Sequence, residues 1–228
     1  MSETRPVALV VGAGDGNGAA IARRFGREGL TVCATRRDAN RLTPLIDEIQ
    51  SAGGRAHAFG SDARREEEVV ALVEEIESSI GPIEVLVFNI GANVPCSILD
   101  ETSRKFFKIW EMACMSGFLN AREVAKRMVT RGHGSILFTG ATASVRGSAG
   151  FAAFASAKHA LRALAQSMAR ELGPRGIHVA HVILDGMVDG EFIRTTMKSA
   201  YDERMPNDGI MRPDNIAENF WYCLLYTS

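Results

Sequence analysis

Cysteine is sparse in this 228-residue chain, and the four present, Cys33, Cys96, Cys114 and Cys223, lie far apart. No CxxC pair and no histidine at metal-ligand spacing occurs, which excludes a disulfide scaffold and gives no metal site, and points to thiols in a reducing, cytoplasmic setting. An excess of charge of either sign is also lacking, since 26 Lys and Arg meet 27 Asp and Glu. No overall basic field therefore draws in nucleic acid or an anionic membrane surface. No apolar run approaches the roughly 18 residues of a membrane span, and residues 1–14 carry no basic stretch followed by a signal-length apolar one. Aromatic residues make up only 7%. Glycine is plentiful, with 22 residues, as tight turns and close backbone approaches require. At 46% hydrophobic and 23% charged, the composition is that of a globular chain able to bury its own core.

Apolar runs and helical periodicities alternate along the chain. Val7–Val11 is a short continuous apolar run, as in a strand covered on both faces of a parallel sheet. A helix over 19–29, a strand over 30–35, a helix over 40–52 and a strand over 56–59 follow. Next come a helix over 66–80, a strand over 83–88, a long helical region over 103–131 and a strand over 135–139. An amphipathic helix over 151–172, a strand over 177–184 and a closing helix over 213–225 complete the series, while 191–213 is polar and irregular. With no linker or repeat interrupting it, this order predicts one α/β domain over 1–228: a doubly wound, Rossmann-type parallel sheet with helices on both faces.

The first strand runs into Gly12-Ala13-Gly14-Asp15-Gly16-Asn17-Gly18 and then directly into a helix. Glycines at such a junction let a pyrophosphate approach the N–H groups of the helix start, where the dipole favours anions. The plainer alternative is a tight turn with surplus glycines. A unit selective for NAD places an acid at the end of the second strand, about twenty residues on. Here the strand ends in Ala34-Thr35-Arg36-Arg37, whose guanidiniums would match a ribose 2′-phosphate, or form a solvated surface pair. NADP(H) is thus expected over NAD(H).

Further pieces stand in a recognisable order: Asp62-Ala63 after the third strand, Phe88-Asn89-Ile90-Gly91 after the fourth, and Phe154-Ala155-Ser156-Ala157-Lys158 on the long helix. With the glycine loop, they make the chain resemble the short-chain dehydrogenases/reductases over nearly its whole length. The resemblance implies that Gly12, Gly14, Gly16, Asn17, Gly18, Asp62, Ala63, Asn89 and Gly91 border a dinucleotide. It adds Gly186 and Val188 from the loop after the sixth strand, with Lys158 on the nicotinamide ribose. It also implies a small carbonyl or alcohol substrate, and a homodimer or homotetramer joined through the two long helices.

The catalytic positions depart from that family. Where the resemblance implies a Tyr that exchanges a proton with substrate, this chain has Phe154; Ala141 stands for the Ser and Cys114 for the Asn. No tyrosine occurs between Gly91 and Ala200. Thr142 or Ser144 would replace the missing hydroxyl only after a loop shift, and Ser156 lies about 200° around the helix from Phe154. Cys114 sits among Met112, Ala113 and Met115, where an apolar environment keeps a thiol protonated. His159, next to Lys158, is expected to be a packed or interface residue. General acid–base catalysis is worth about 10²–10⁴-fold, so Tyr-dependent carbonyl reduction is expected to be lost. The alternative function is a catalytically silent dinucleotide-binding protein with a structural or sensing role. Asp185 and Gly190 replace the family's Pro and Thr in the loop after the sixth strand. The chain closes on 223–228, where the resemblance implies a seventh strand and at most a stub is expected.

Overall fold

In this computed structural model, residues 5–225 are described. Six strands form a wholly parallel sheet, β1 (Val7–Val11), β2 (Thr31–Arg36), β3 (Arg55–Gly60), β4 (Ile83–Phe88), β5 (Gly134–Thr139) and β6 (Ile177–Val182). Their order is β3-β2-β1-β4-β5-β6, with β1 central: Val10 is paired to Ala34 on one side and to Val87 on the other. The strand order reverses at β1 and β4, which opens a crevice at the carboxyl edge of the sheet.

Alternation along β1 explains the two layers of helices. Val7, Leu9 and Val11 point into a core shared with α3 (Glu66–Ser79), α5 (Ser116–Arg131) and α6 (Ala152–Leu172). Ala8 and Val10 point into the opposite core, with α1 (Asn17–Arg27), α2 (Thr43–Ser51) and α9 (Pro213–Leu225). All five β1 residues are buried, so a strand with no polar face is the only kind that fits here. Phe25 and Phe220 are fully buried in the second core, and truncating either to Ala should cost about 3–5 kcal/mol.

Several sequence expectations need correction. The helix expected over 40–52 begins as a 3₁₀ turn, Ala39–Leu42, because Asp38 accepts the Asn40 N–H and Pro44 lies in the first turn of α2. The helical region expected over 103–131 is present, as α4 (Ser103–Trp110) and α5 joined by a π-helical turn, Glu111–Met115, that the periodicity did not show. The sixth strand stops at Val182, although the Val182 and Leu184 carbonyls go on accepting the Gly140 and Thr142 N–H groups. The segment read as irregular holds α7 (Glu191–Thr196), α8 (Lys198–Arg204) and β8 (Ile210–Met211), which pairs in parallel with β7 (Met187–Val188) just before it. Cys223, Leu224 and Leu225 belong to α9 and are not a strand stub; residues 226–228 lie outside the described residues. Among the described residues β6 is an edge of the sheet, and no helix is long and apolar enough to cross a membrane.

Candidate functional site

The glycine loop turns on Gly12, whose φ of 84° is the left-handed region that glycine tolerates. The Gly12 carbonyl accepts the Gly14 N–H at 2.9 Å and the Asn89 amide at 3.1 Å, which ties the loop to the end of β4. A Cβ at Gly18 would run into that same carbonyl and stand 2.7 Å from the Ala13 Cα, so Gly12 and Gly18 are required by the chain's own packing. At Gly14 and Gly16 a Cβ would meet nothing within 4 Å. Packing does not ask for glycine at those two positions, whereas close approach of a ligand would. Gly16 caps α1 without a side chain, and no acid stands in the first turn. These features fit a bound pyrophosphate.

On one side of the loop lies a cleft of ≈ 190 Å³ whose lining includes Thr35, Arg36, Arg37, Ser61, Asp62 and Ala63. Arg64 also lines it, a residue that sequence reasoning missed although it stands two places after Asp62. The Arg64 Nε donates to Asp62 Oδ1 at 2.9 Å, and this bond is the main reason the Asp62 carboxyl is held down at about 2. Arg36 donates to Asp15 at 3.1 Å. Among the described residues Arg37 forms no ion pair. On the other side a cleft of ≈ 360 Å³ runs between Asp15, Gly16 and Asn17 and the Val188, Asp189 and Gly190 segment. Gly186 lies just before, its Cβ position 3.5 Å from the Met211 methyl.

Lys158 comes off α6 beneath the ends of β4 and β5. It is 3% exposed, and its Nζ donates to the Thr139 carbonyl at 2.8 Å and to the Ile90 carbonyl at 3.1 Å. Burial without a carboxylate partner pushes its ammonium down to about 8. One turn earlier Phe154 places its ring centroid 5.9 Å from Nζ. That ring is buried with Ala92, Ile109 and Ala153, and the partly buried Phe106 and Ala141 complete an apolar wall. Gly91 faces the same ring, its Cβ position 3.9 Å from Phe154 Cε2. The π-helical turn carries Cys114 against Ala157, and burial raises its thiol, with Lys158 acting in the opposite direction.

Neither hydroxyl near Ala141 stands idle. Ser144 is fully buried, accepts the Ala141 N–H at 3.1 Å and approaches His181 Nε2 at 3.4 Å. Thr142 donates to Asp185 at 2.5 Å. The Ser156 hydroxyl bonds back to the Ala153 carbonyl and His159 sits on the Ala155 carbonyl, both within their own helix. Among the described residues no cluster of His, Cys, Asp or Glu could hold a metal ion.

The groove at the carboxyl edge of the sheet thus consists of two clefts, one lined by Gly12, Arg36, Arg37, Asp62 and Ala63 and the other by Gly16, Asn17 and Val188, with Lys158 buried beneath the ends of β4 and β5. A family model described as short chain dehydrogenase matches residues 6–201. The chain belongs to the short-chain dehydrogenase/reductase family. The short-chain reductase protein NovJ of Streptomyces niveus is 32% identical over 202 residues, 89% of this chain and 74% of that protein. The 7alpha-hydroxysteroid dehydrogenase of Escherichia coli K12 is 31% identical over 192 residues, covering 84% and 73%. Among solved structures, a short-chain dehydrogenase from Rhodopseudomonas palustris is 47% identical with a TM-score of 0.82, covering 99% of this chain and 93% of that one. A variant of actinorhodin polyketide ketoreductase solved with NADPH has a TM-score of 0.89 at 28% identity, covering 96% and 90%.

Proposed function

We propose that this chain binds NADP(H) in the groove and acts as an oxidoreductase on a small carbonyl or alcohol, without a tyrosine in the proton-transfer step. The observation that carries the reading is the run of fitted parts along one edge: open glycines at 14 and 16, an uncapped helix start, two arginines at the end of β2, and buried Lys158 beyond. NADPH, when bound, supplies a hydride. Gly14, Gly16 and Asn17 would hold its pyrophosphate, Arg36 and Arg37 its ribose phosphate, and Asn89, Gly91, Gly186 and Val188 would border it. Lys158 would hold the nicotinamide ribose, positioned by the Ile90 and Thr139 carbonyls. Phe154 has no proton to give and, with its apolar wall, excludes water from one side; the proton then comes from a substrate group or from water on the open side.

A second reading is favoured by one specific observation. Phe154 and Cys114 stand beside Lys158, and Ala141 joins the Phe154 wall, so none of the three positions offers a ready proton donor or acceptor. On that reading the chain is a silent dinucleotide-binding protein. Stopped-flow measurement of NADPH oxidation against a panel of carbonyl compounds separates the two. Robust turnover by the unmodified chain, unchanged by Phe154→Tyr, supports the enzyme. Activity that arises only in the triple variant Phe154→Tyr, Ala141→Ser, Cys114→Asn supports the silent protein.

The homodimer or homotetramer is part of the same proposal. A groove of ≈ 550 Å³ between α5 and α6, lined by Phe118, Val129, Leu164 and Met168, gives those helices an outward apolar surface. Sedimentation equilibrium tests it; a monomer at micromolar concentration would speak against it. The four cysteines are free thiols, which supports a reducing, cytoplasmic setting.

A further inference from the structure

The adenosine end of the groove is not an open cage of arginines. Three guanidiniums, Arg36, Arg37 and Arg64, line one small cleft, but two of them are already engaged. Arg64 is bound to Asp62 through both its Nε and its terminal nitrogen. Arg36 is bound to Asp15, a residue of the glycine loop itself. Asp15 lines the pyrophosphate-side cleft and Arg36 the adenosine-side cleft, so this ion pair straddles the ridge between the two. The Asp15 side chain is 61% exposed and that of Arg36 is 20% exposed, which leaves the carboxylate on the solvent side of the pair.

We propose that Asp15 is a specificity-determining residue that withholds Arg36 from a ribose 2′-phosphate and leaves Arg37 as the principal phosphate contact. The inference rests on the reading of the groove as an NADP(H) site and deepens it. A phosphate monoester carries about −1.5 to −2 charges at neutral pH, and a carboxylate at this rim both competes for Arg36 and repels the incoming anion. Exposed ion pairs are weak, so Asp15 tunes the preference instead of abolishing it. An uncharged cofactor ribose makes no demand on Arg36, so the part of the Asp15 effect that runs through Arg36 is absent for NADH. The two arginines, adjacent in sequence and alike in residue type, are thereby unequal in role.

The test is fluorescence titration of NADPH and NADH, with calorimetric titration of 2′,5′-ADP and 5′-AMP, against the unmodified chain and four variants: Asp15→Asn, Arg36→Ala, Arg37→Ala and Asp15→Asn with Arg36→Ala. Asp15→Ser serves as a second variant should Asp15→Asn fold poorly. Asp15→Asn is expected to tighten NADPH and 2′,5′-ADP roughly three- to tenfold while moving NADH and 5′-AMP less than about twofold. In the Arg36→Ala background that gain should fall by about half or more, because part of it comes from releasing Arg36. Arg37→Ala should weaken NADPH more than Arg36→Ala does. Equal effects of Asp15→Asn on both cofactors, or a gain undiminished without Arg36, would overturn the role of Asp15 while leaving the NADP(H) reading in place. An unmodified chain that binds NADH as tightly as NADPH, with Arg37→Ala weakening both alike, would overturn that reading and the inference with it.

Discussion

The ammonium of Lys158 stands 5.9 Å from the centre of the Phe154 ring and is held by two backbone carbonyls, with no carboxylate to balance it. An aromatic face and carbonyl oxygens stabilise a cation only partly, and burial lowers its affinity for the proton from the ordinary 10.5 to about 8.

A pH dependence follows directly. Between pH 8 and 10.5 the unfolded chain keeps a proton on Lys158 that the folded chain releases, so this residue's contribution to stability rises with pH across that window. The cost of holding the ammonium, on the order of 3 kcal/mol, is present in full below about pH 8. Urea unfolding of the unmodified chain and Lys158→Met at pH 7.5 and pH 10 should show the unmodified chain gaining on the variant at the higher pH. The Cys33 thiol, pushed up to about 12 by burial and with no influence from Lys158, titrates alike in both and cancels. Parallel pH profiles would remove the buried cation from the description.

The glycines of the loop divide into two kinds, and substitution should separate them. Gly18→Ala meets backbone atoms of Gly12 and Ala13 and should cost about 1–3 kcal/mol in thermal or urea unfolding. Gly14→Ala meets nothing, so the fold should tolerate it, and any loss should show in dinucleotide binding. A Gly14→Ala chain that binds NADPH and NADH like the unmodified one would place the pyrophosphate elsewhere.

At the other end, Gly140 and His181 depend on one another. A Cβ on Gly140 would press into the His181 ring, 2.8 Å from Nε2, while Ser144 holds the same ring and the Ala141 N–H. Gly140→Ala is expected to cost about 1–3 kcal/mol, and less in a His181→Ala background, as a double-mutant cycle would record. Burial above all, with Lys158 and Arg162 nearby, lowers the His181 imidazole to about 4. The stability its neutral form contributes is therefore complete above pH 6.5 and lost as pH falls toward 4, and His181→Ala should flatten that acid limb.

How much of this was legible in the sequence depends on the kind of signal. The six strands and their helices could be read because buried parallel strands are continuous apolar runs and the helices facing them repeat at three and four residues. Gly12, Gly18, Asn89 and Lys158 were legible from their place in motifs. The π-helical turn at 111–115 was not, since its extra residue steps the apolar positions along by only one, which an alternation of three- and four-residue spacings absorbs. Neither were α7 and α8, each too short and polar to show a periodic face. The Asp15–Arg36 and Asp62–Arg64 pairs lie on turns and at the end of β2, where charge carries no periodicity, and only the folded backbone brings Asp15 to a residue 21 positions away.

The most direct test of the central claim is a paired titration of the unmodified chain with NADPH and NADH, following quenching of protein fluorescence and the enhanced emission of the reduced cofactor. NADPH is expected to bind about tenfold more tightly than NADH or better, since Arg37 makes a charge-assisted contact available only to the 2′-phosphate. Equal affinity for the two, or no saturable binding of either, would contradict it.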